Sequence, residues 1–435
     1  PAPRALVLPA VRPLSAMAGL GRALFFDPRL SGSGRLSCAS CHDPAQAYGP
    51  PDAGPVAHGG PDLRHAGLRA VPSLRYLYRQ PPFSIGPDSA GDNDHRPSLA
   101  QQALRAADAG RAPKTAAQPQ AAAADLVPQG GLFWDGRVDT LEQQADGPLF
   151  NPDEMAAGTP AQVLARIKAG GYAADFQRLF GARVFDDPRQ ALAEALFAIS
   201  RFEIEDPSFH PFTSKFDAWL AGRARLSAAE WRGYLAFNDP KKGNCAACHL
   251  DRPSRDGLPP LFTDHQYEAL GVPRNNAIPA NRDPGFFDLG LCGPLRHDLA
   301  AQTRYCGMFL TPSLRNVATR RVFFHNGVFH SLRQVLTWYA GRDLQPQRFY
   351  PRGADGRVVA YDDLPPPDRA NVDHGDAPFD RHRGDAPALG PADIDDLIAF
   401  LGTLTDADAH AAAEPARPGR DGPPGRRRRD AGPRS

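Results

Sequence analysis

The pattern C-x-x-C-H occurs twice in this chain and constrains it more than any other feature. The two copies are CASCH at residues 38–42 and CAACH at residues 245–249. In such a pattern two thiols add across the vinyl groups of a haem, and the adjacent histidine binds the iron. A zinc ribbon needs its cysteine pairs roughly 15–20 residues apart, and a thioredoxin-type dithiol has no use for the histidine. The sequence therefore predicts two covalently bound haem c groups. Their predicted anchors and proximal ligands are Cys38, Cys41, His42, Cys245, Cys248 and His249.

Length and composition indicate a globular protein with room for more than one domain. The 435 residues are 42% hydrophobic and 23% charged, which suits two or three domains with ample cores. No apolar run approaches the roughly 18 residues that a membrane-spanning helix needs. The net charge is +1, and the arginine-rich residues 411–435 predict a disordered basic tail. Neither nucleic acid nor a membrane is therefore an expected partner.

The two remaining cysteines indicate the compartment. Cys292 and Cys306 have no adjacent cysteine, and their spacing suits a disulfide that closes a loop; two free buried thiols are the alternative. Haem c is attached outside the cytoplasmic membrane, where disulfides also persist. Both observations predict a periplasmic protein.

Apolar periodicity and capping residues predict a mainly α fold with long loops and little β-structure. Ser227 and Glu230 form a capping box ahead of the second C-x-x-C-H pattern. Pro188 and Pro391 each stand at the first position of a further helix, and apolar residues follow them at helical spacing. Alternating strand patterns are hard to find.

Each C-x-x-C-H pattern lies in its own helical region, so we expect two c-type cytochrome-like haem domains. The N-terminal domain is predicted over residues 1–210, with surface insertions at about 50–130. The C-terminal domain is predicted over residues 211–410, and residues 411–435 follow it as the tail. The last predicted helix, 391–404, is a candidate to pack back on the N-terminal domain.

Three separated stretches of the chain resemble one protein family. They are LGRALFFDPRLSGSGRLSCASCHDP at 20–44, GGLFWDGRVDTLEQQADGPLFNPDEM at 130–155 and TPSLRNVATRRVFFHNG at 311–327. Together they closely resemble the bacterial di-haem cytochrome c peroxidase/MauG family, from about residue 18 to residue 405. The resemblance implies two mainly helical haem domains, in which one haem reacts with hydrogen peroxide and the other relays or stores electrons.

The same resemblance implies roles for three further residues. Glu154 matches the distal acid/base of the family, Gln144 matches its distal amide, and Trp134 matches the tryptophan between the two haems. Cleavage of peroxide needs a base that takes one proton and delivers it to the leaving oxygen. Without the resemblance, Glu154 would be interpreted as a solvated loop carboxylate, Gln144 as a surface helix residue and Trp134 as a core residue.

The ligand of the second iron separates the two branches of the family. The peroxidase branch places a methionine on this haem and MauG places a tyrosine, and Tyr339 stands at the matching position. Ser331 and Gln334 predict a helix start, which turns Tyr339 inward with the apolar residues of the preceding turns. A phenolate is a hard, anionic ligand that favours high iron oxidation states. Packing of Tyr339 with a hydrogen bond, and ligation by Met308, are the alternatives.

Calcium between the haems is implied by the family but is doubtful in this chain. In the family an asparagine side chain and the carbonyls of a Thr-x-Pro segment bind the ion. Ala70 replaces the asparagine, and residues 320–322 are Arg-Arg-Val. His58 and His65 lie near the loop histidine that blocks the first haem in resting peroxidases, but out of register with it. The sequence leaves open whether either approaches that haem.

These features predict an oxidoreductase that reacts with hydrogen peroxide at an open haem and stores oxidising equivalents over both haems, in bis-ferryl form. A MauG-like enzyme of this kind oxidises a partner protein, whose identity the sequence does not give. A conventional di-haem cytochrome c peroxidase, with a small cytochrome or copper protein as electron donor, is the alternative. A non-catalytic di-haem electron carrier is less favoured, because a carrier has no need of Glu154.

Overall fold

The computed structural model describes residues 6–87 and 126–409, and these residues form a mainly α fold. The helices are α1 (Ala16–Phe25), α2 (Cys38–Cys41), α3 (Leu141–Phe150), α4 (Pro160–Ala169), α5 (Ala173–Phe180), α6 (Pro188–Glu205), α7 (Lys215–Leu220), α8 (Ala228–Asn238), α9 (Leu332–Gly341) and α10 (Pro391–Gly402). Three two-stranded antiparallel sheets pair β1 (His58–Gly59) with β2 (His65–Ala66), β3 (Ser84–Pro87) with β4 (Leu126–Gln129), and β5 (Tyr267–Glu268) with β6 (Phe309–Leu310). No described helix has both the length and the apolarity needed to cross a bilayer.

The predicted helix starts agree with the structure. The Ser227 hydroxyl accepts from the Glu230 N–H, and the Glu230 carboxylate accepts from the Ser227 N–H. The Ser331 hydroxyl accepts from the Gln334 N–H, whereas the Gln334 side chain accepts from the N–H of His330. The start of α9 is therefore as predicted, although its capping box is not closed. Confirmed starts are those of α6, α8, α9 and α10.

The N-terminal half, residues 6–209, packs around α1 and α6. These helices cross at Gly21, where a Cβ atom would lie 1.7 Å from the Ala198 carbonyl oxygen, so the close approach requires a residue without a side chain. Helices α3 and α4 pack against the same α6. The largest fully buried side chains of this core are Leu24, Phe25, Phe176, Phe202 and Phe209.

The C-terminal half, residues 216–409, repeats this arrangement with α8 and α10. A Cβ atom at Gly233 would lie 2.0 Å from the Asp396 carbonyl oxygen, and α9 also packs against α10. The expectation that residues 391–404 pack on the N-terminal half is therefore wrong. The apolar face of α10 is covered by α8 and α9 of its own half, with which it shares a core.

The loops that precede α3 and α9 also correspond between the halves. Phe133 and Phe324 have positive φ angles of 68° and 65°, and Gly136 and Gly327 both have φ of 61°. Thr140 and Ser331 then cap the two helices through their side chains. The two halves are thus built on one pattern, in the order helix, C-x-x-C-H, loop, capped helix and closing helix.

This correspondence pairs two residues of different chemistry. Pro148 stands in α3 eight residues after the Thr140 cap, and Tyr339 stands in α9 eight residues after the Ser331 cap. Because the two helices start in the same way, Pro148 and Tyr339 occupy equivalent places in their halves.

Two backbone hydrogen bonds cross between the halves in a reciprocal manner. The Ala70 N–H donates to the His325 carbonyl at 2.7 Å, and the Leu310 N–H donates to the Trp134 carbonyl at 2.9 Å. Each half therefore supplies one donor and one acceptor, so the loops around Trp134 and His325 are fixed across the boundary.

The segment that follows α10 returns to the N-terminal half through a buried carboxylate. Asp406 is 0% exposed and accepts from the Arg75 guanidinium at 3.3 Å and from the Tyr76 hydroxyl at 2.7 Å. The Asn316 amide donates to the same carboxylate at 2.7 Å. One buried anion thus binds groups of both halves.

Gly19, on the same helix, provides a matched control for a test of the tight crossing at Gly21. Gly21→Ala is expected to destabilise the holoprotein, because its methyl group overlaps the Ala198 carbonyl oxygen; overpacking of this kind costs about 1–3 kcal/mol. Gly19→Ala places its methyl with no atom within 4 Å, and alanine gains roughly 1 kcal/mol of helix propensity. Guanidinium unfolding followed by circular dichroism measures both midpoints. A Gly21→Ala midpoint as high as that of Gly19→Ala would contradict the crossing.

Candidate functional site

The first C-x-x-C-H pattern forms the short helix α2, and its histidine is the residue directly after that helix. Cys38 and Cys41 are not joined in a disulfide. The Nδ1 atom of His42 lies 3.2 Å from the Tyr48 carbonyl oxygen, an arrangement that places the proton on Nδ1 and leaves Nε2 as a ligand atom. Burial lowers the pKa of His42 to about 4. The ring is therefore neutral at physiological pH, as a metal ligand must be.

The second pattern has the same arrangement in the C-terminal half. The Nδ1 atom of His249 lies 2.9 Å from the Phe262 carbonyl oxygen, and burial lowers the pKa of His249 to about 4. Cys245 and Cys248 are likewise not joined in a disulfide. No cluster of three or more His, Cys, Asp or Glu side chains suited to a metal ion occurs within residues 6–87 and 126–409.

A cavity of about 320 Å³ opens beside the second pattern and extends to the boundary between the halves. Its walls are largely apolar, as in sites for planar organic cofactors. Both the second pattern and residues of the N-terminal half contribute to it. Among the lining residues are Cys245, Cys248, His249, Tyr339, Trp134 and Gln144.

Tyr339 faces this cavity from α9. The preceding residue, Trp338, is fully buried in the core, whereas Tyr339 stacks on Phe379 with ring centroids 5.1 Å apart. Within the described part of the chain we find no hydrogen bond to the Tyr339 hydroxyl. Burial raises the pKa of Tyr339, so its phenolate form requires a nearby cation.

Trp134 lies where the two halves meet. Its indole N–H donates to the Ala70 carbonyl at 2.8 Å, and its own carbonyl accepts the bond from Leu310. The side chain is half-buried and lines the cavity. Bonds to both halves therefore fix the indole beside the cavity.

Gln144 and Glu154 lie on α3 and on the turn that follows it. Gln144 is buried and lines the cavity near Trp134. The Asn151 amide donates to the Glu154 carboxylate at 3.0 Å, and burial raises the pKa of Glu154. Burial also raises the pKa of the Cys41 thiol to about 11, and the charge of Glu154 contributes. Glu154 is thus close to the first pattern, whereas Gln144 is on the side of Trp134.

The hairpin of β1 and β2 covers the turn that carries Glu154. The Gly60 N–H donates to the Glu154 carbonyl at 2.7 Å, and a Cβ atom at Gly59 would lie 2.4 Å from the same oxygen. His65 approaches Asp153 at 3.0 Å, and the His58 side chain is exposed. This part of the predicted surface insertion is therefore a cover over the candidate acid/base. Residues 88–125 of the insertion, and the predicted tail 411–435, lie outside the described residues.

Cys292 and Cys306 form the predicted disulfide. Met308 packs against the small core that surrounds this bond. It is not among the residues that line the cavity beside His249. The Met308 side chain thus packs on this core, whereas its neighbours Gly307 and Phe309 line the cavity.

The residues where the family binds calcium do not fit that ion in this chain. The Ala70 side chain offers no oxygen. The Val71 and Val322 carbonyl oxygens accept from the Arg320 guanidinium at 3.0 Å and 3.2 Å. A cationic side chain therefore bonds to carbonyls at this place.

Comparison with known proteins matches these features to one family. The family model described as di-haem cytochrome c peroxidase matches residues 15–225. The methylamine utilization protein MauG of Paracoccus denitrificans is 32% identical over 423 residues, which cover 93% of this chain and 94% of that protein. The cytochrome c551 peroxidase of Nitrosomonas europaea is 27% identical over 356 residues, which cover 81% and 80%.

Solved structures agree with these matches. The crystal structure of the diheme peroxidase BthA from Burkholderia thailandensis superposes with a TM-score of 0.75 and 38% identity, covering 93% of this chain and 90% of that one. A MauG-like protein associated with microbial copper homeostasis gives a TM-score of 0.58 and 25% identity, with 94% and 93% covered. The chain therefore belongs to the di-haem cytochrome c peroxidase/MauG family of oxidoreductases.

Proposed function

We propose that this chain is a periplasmic di-haem c enzyme of the MauG-like type. It reacts with hydrogen peroxide at the haem of His42 and oxidises a partner protein with equivalents stored over both haems. The observation that carries the proposal is the hydroxyl of Tyr339, which faces the cavity beside His249 and has no hydrogen-bond partner within the described residues. The half-buried phenol lines the cavity, and a haem iron there would give its oxygen a partner, since tyrosine is a known axial ligand of haem.

The haems supply the redox chemistry, and the chain supplies their anchors, axial ligands and surroundings. In this proposal one haem is held by the first C-x-x-C-H pattern and the other by the second. The neutral rings of His42 and His249 offer their Nε2 atoms as proximal ligands, because each Nδ1 is directed at a carbonyl. The phenolate of Tyr339 would help to hold the iron of the haem beside His249, and a ferric ion would provide the cation that its burial requires.

The equivalence of Pro148 and Tyr339 supports a division of roles between the two sites. A proline side chain has no donor atom for iron, so α3 offers no ligand at the place where α9 offers a phenol. The site of His42 therefore keeps an open position for peroxide. The site of His249 is closed by Tyr339, which favours storage of oxidising equivalents.

The surroundings of Glu154 support its proposed acid/base role. Asn151 orients the carboxylate, the hairpin covers its backbone, and burial raises its pKa towards the neutral range in which a base works best. Gln144, on the helix that precedes this turn, supplies an amide to orient peroxide. Trp134, fixed between the halves, is placed to pass an electron from one site to the other.

The conventional peroxidase remains the second candidate function. The relatives include a cytochrome c551 peroxidase as well as MauG proteins, so the family alone does not choose between them. The Met308 side chain packs beside the disulfide and does not line the cavity, which favours the MauG-like assignment. The disulfide also supports a periplasmic location, because such bonds persist in oxidising compartments.

The cofactor content can be measured on the purified protein. Intact mass is expected to exceed the mass of the chain by two haem units, and haem should remain on the polypeptide in denaturing gels. The double variant Cys245→Ala/Cys248→Ala should retain one haem. A Cys292→Ser/Cys306→Ser variant, which removes only the disulfide, should retain two. A gain of a single haem by the unmodified chain would contradict the di-haem assignment.

Glu154→Gln tests the acid/base role. The variant should react with hydrogen peroxide roughly 10²–10⁴-fold more slowly, the usual contribution of a general acid/base. A base must be ionised, so the rate of the native enzyme should rise with pH through the raised pKa of Glu154. The rate of the Glu154→Gln variant should not show this rise. Asp153→Asn removes the neighbouring carboxylate, which is exposed and pairs with His65, and should react at the native rate. Stopped-flow absorption of the haem bands gives these rates; an unchanged rate in Glu154→Gln would exclude the role.

Tyr339→Phe tests the second axial ligand. The variant should change the absorption and electron paramagnetic resonance spectra of one haem and lose the shared high-valent state, while peroxide still reacts at the other haem. Tyr305→Phe is the control, because Tyr305 is a buried tyrosine with an unpartnered hydroxyl that does not line the cavity. Native spectra in Tyr339→Phe would show that this residue only packs, and the conventional peroxidase would then be the better assignment.

A further inference from the structure

Arg320 extends from the C-terminal half to two loops of the N-terminal half. Its Nε donates to the Val322 carbonyl at 3.2 Å and its Nη2 to the Val71 carbonyl at 3.0 Å. The Nη1 atom lies 3.6 Å from the position that a Cβ atom would take at Gly49. The guanidinium therefore lies against the loops that flank His42, and it lines the cavity that reaches His249.

The charge of Arg320 has no anionic partner in the described part of the chain. Other guanidinium groups whose side chains are no more than 7% exposed are paired with aspartates at 2.6–3.3 Å, and these are Arg69, Arg75, Arg296, Arg315 and Arg342. Within residues 6–87 and 126–409 the half-buried Arg320 makes no ion pair within 4 Å, and burial lowers its pKa to about 10. A half-buried charge that the described chain pairs only with carbonyl oxygens is unfavourable, so its retention calls for a reason.

The place of Arg320 supplies that reason. In the family, an asparagine at the position of Ala70 and the carbonyls of the segment aligned with residues 320–322 hold calcium between the haems. Here the asparagine is missing, and the Val322 carbonyl already accepts a hydrogen bond from Arg320. A divalent ion at this place would also lie beside a guanidinium and be repelled by it.

We propose that the Arg320 guanidinium takes the place of the interhaem cation, so that this protein carries its own fixed positive charge between the two haems and does not use calcium. The proposal rests on the two haems of the proposed function, but not on peroxide chemistry or on Tyr339. Arg320 is a positioning residue: it fixes Val71, whose neighbour Ala70 holds the Trp134 indole. Its charge also acts on the electrons of both haems, because a nearby positive charge stabilises the reduced state.

Calcium content and haem reduction potentials of the holoenzyme test this proposal. The native protein should contain well under one calcium ion per chain by elemental analysis, and a calcium chelator should leave both potentials and the haem spectra unchanged. One tightly held calcium ion per chain, or spectra that change on chelation, would overturn the proposal.

Variants separate the charge of Arg320 from its packing. Arg320→Gln should lower both haem potentials, and Arg320→Lys, which keeps the charge, should restore most of that loss. Arg321→Gln removes the same charge from the exposed neighbouring residue and should leave both potentials at native values. Equal shifts in Arg320→Gln and Arg321→Gln would overturn the proposal, as would no shift in either.

The double variant Ala70→Asn/Arg320→Thr restores donors that bind calcium elsewhere in the family. It should gain one calcium site with a dissociation constant of roughly 10⁻⁴ M, because neutral donors bind calcium weakly, and calcium should raise its haem potentials towards native values. A double variant that holds two haems but neither binds calcium nor changes its haem potentials with calcium would contradict the replacement of calcium by Arg320. Because these readouts involve neither peroxide nor Tyr339, they remain decisive if the proposed function fails.

Discussion

The reciprocal hydrogen bonds between Ala70 and His325 and between Leu310 and Trp134 are the constraint on which the site depends. They fix the two halves in one register, so the loop at residues 70–72 becomes a shared support. The carbonyl of Ala70 accepts from the Trp134 indole, and the carbonyl of Val71 accepts from Arg320. A shift of this loop would therefore displace groups of both halves at once. Because these bonds join backbone atoms, they hold the walls of the cavity in place whatever side chains the loops carry.

The two halves share one backbone framework and differ in the side chains that it positions. Both close with a helix that crosses another at a glycine, and both have a capped helix after a loop with two left-handed residues. The capped helices differ at Pro148 and Tyr339. Proline cannot donate to the carbonyl four residues earlier, which belongs to Gln144. One substitution in a repeated framework thus separates an open site from a closed one.

The parts of this structure that follow local rules were predictable from the sequence. Capping residues located the starts of four helices, and spacing alone identified the two C-x-x-C-H patterns and the disulfide. The packing partner of α10 was not predictable, because an amphipathic helix fits any apolar surface. Recognition of the repeat VPSLR at 71–75 and TPSLR at 311–315 would have exposed the correspondence of the halves. The cover over Glu154 and the environment of Arg320 depend on contacts between residues far apart in the chain, which no local pattern records.

The buried carboxylate of Asp406 makes the N-terminal half dependent on the end of the chain. Arg75 and Tyr76 belong to the N-terminal half, yet their partner is among the last described residues of the chain. An N-terminal half without its partner would lack the anion that these groups need. The packing around Arg75 and Tyr76 therefore depends on a segment that follows the last helix of the other half. The two halves resemble each other, but the first takes part of its buried ion pairing from the second.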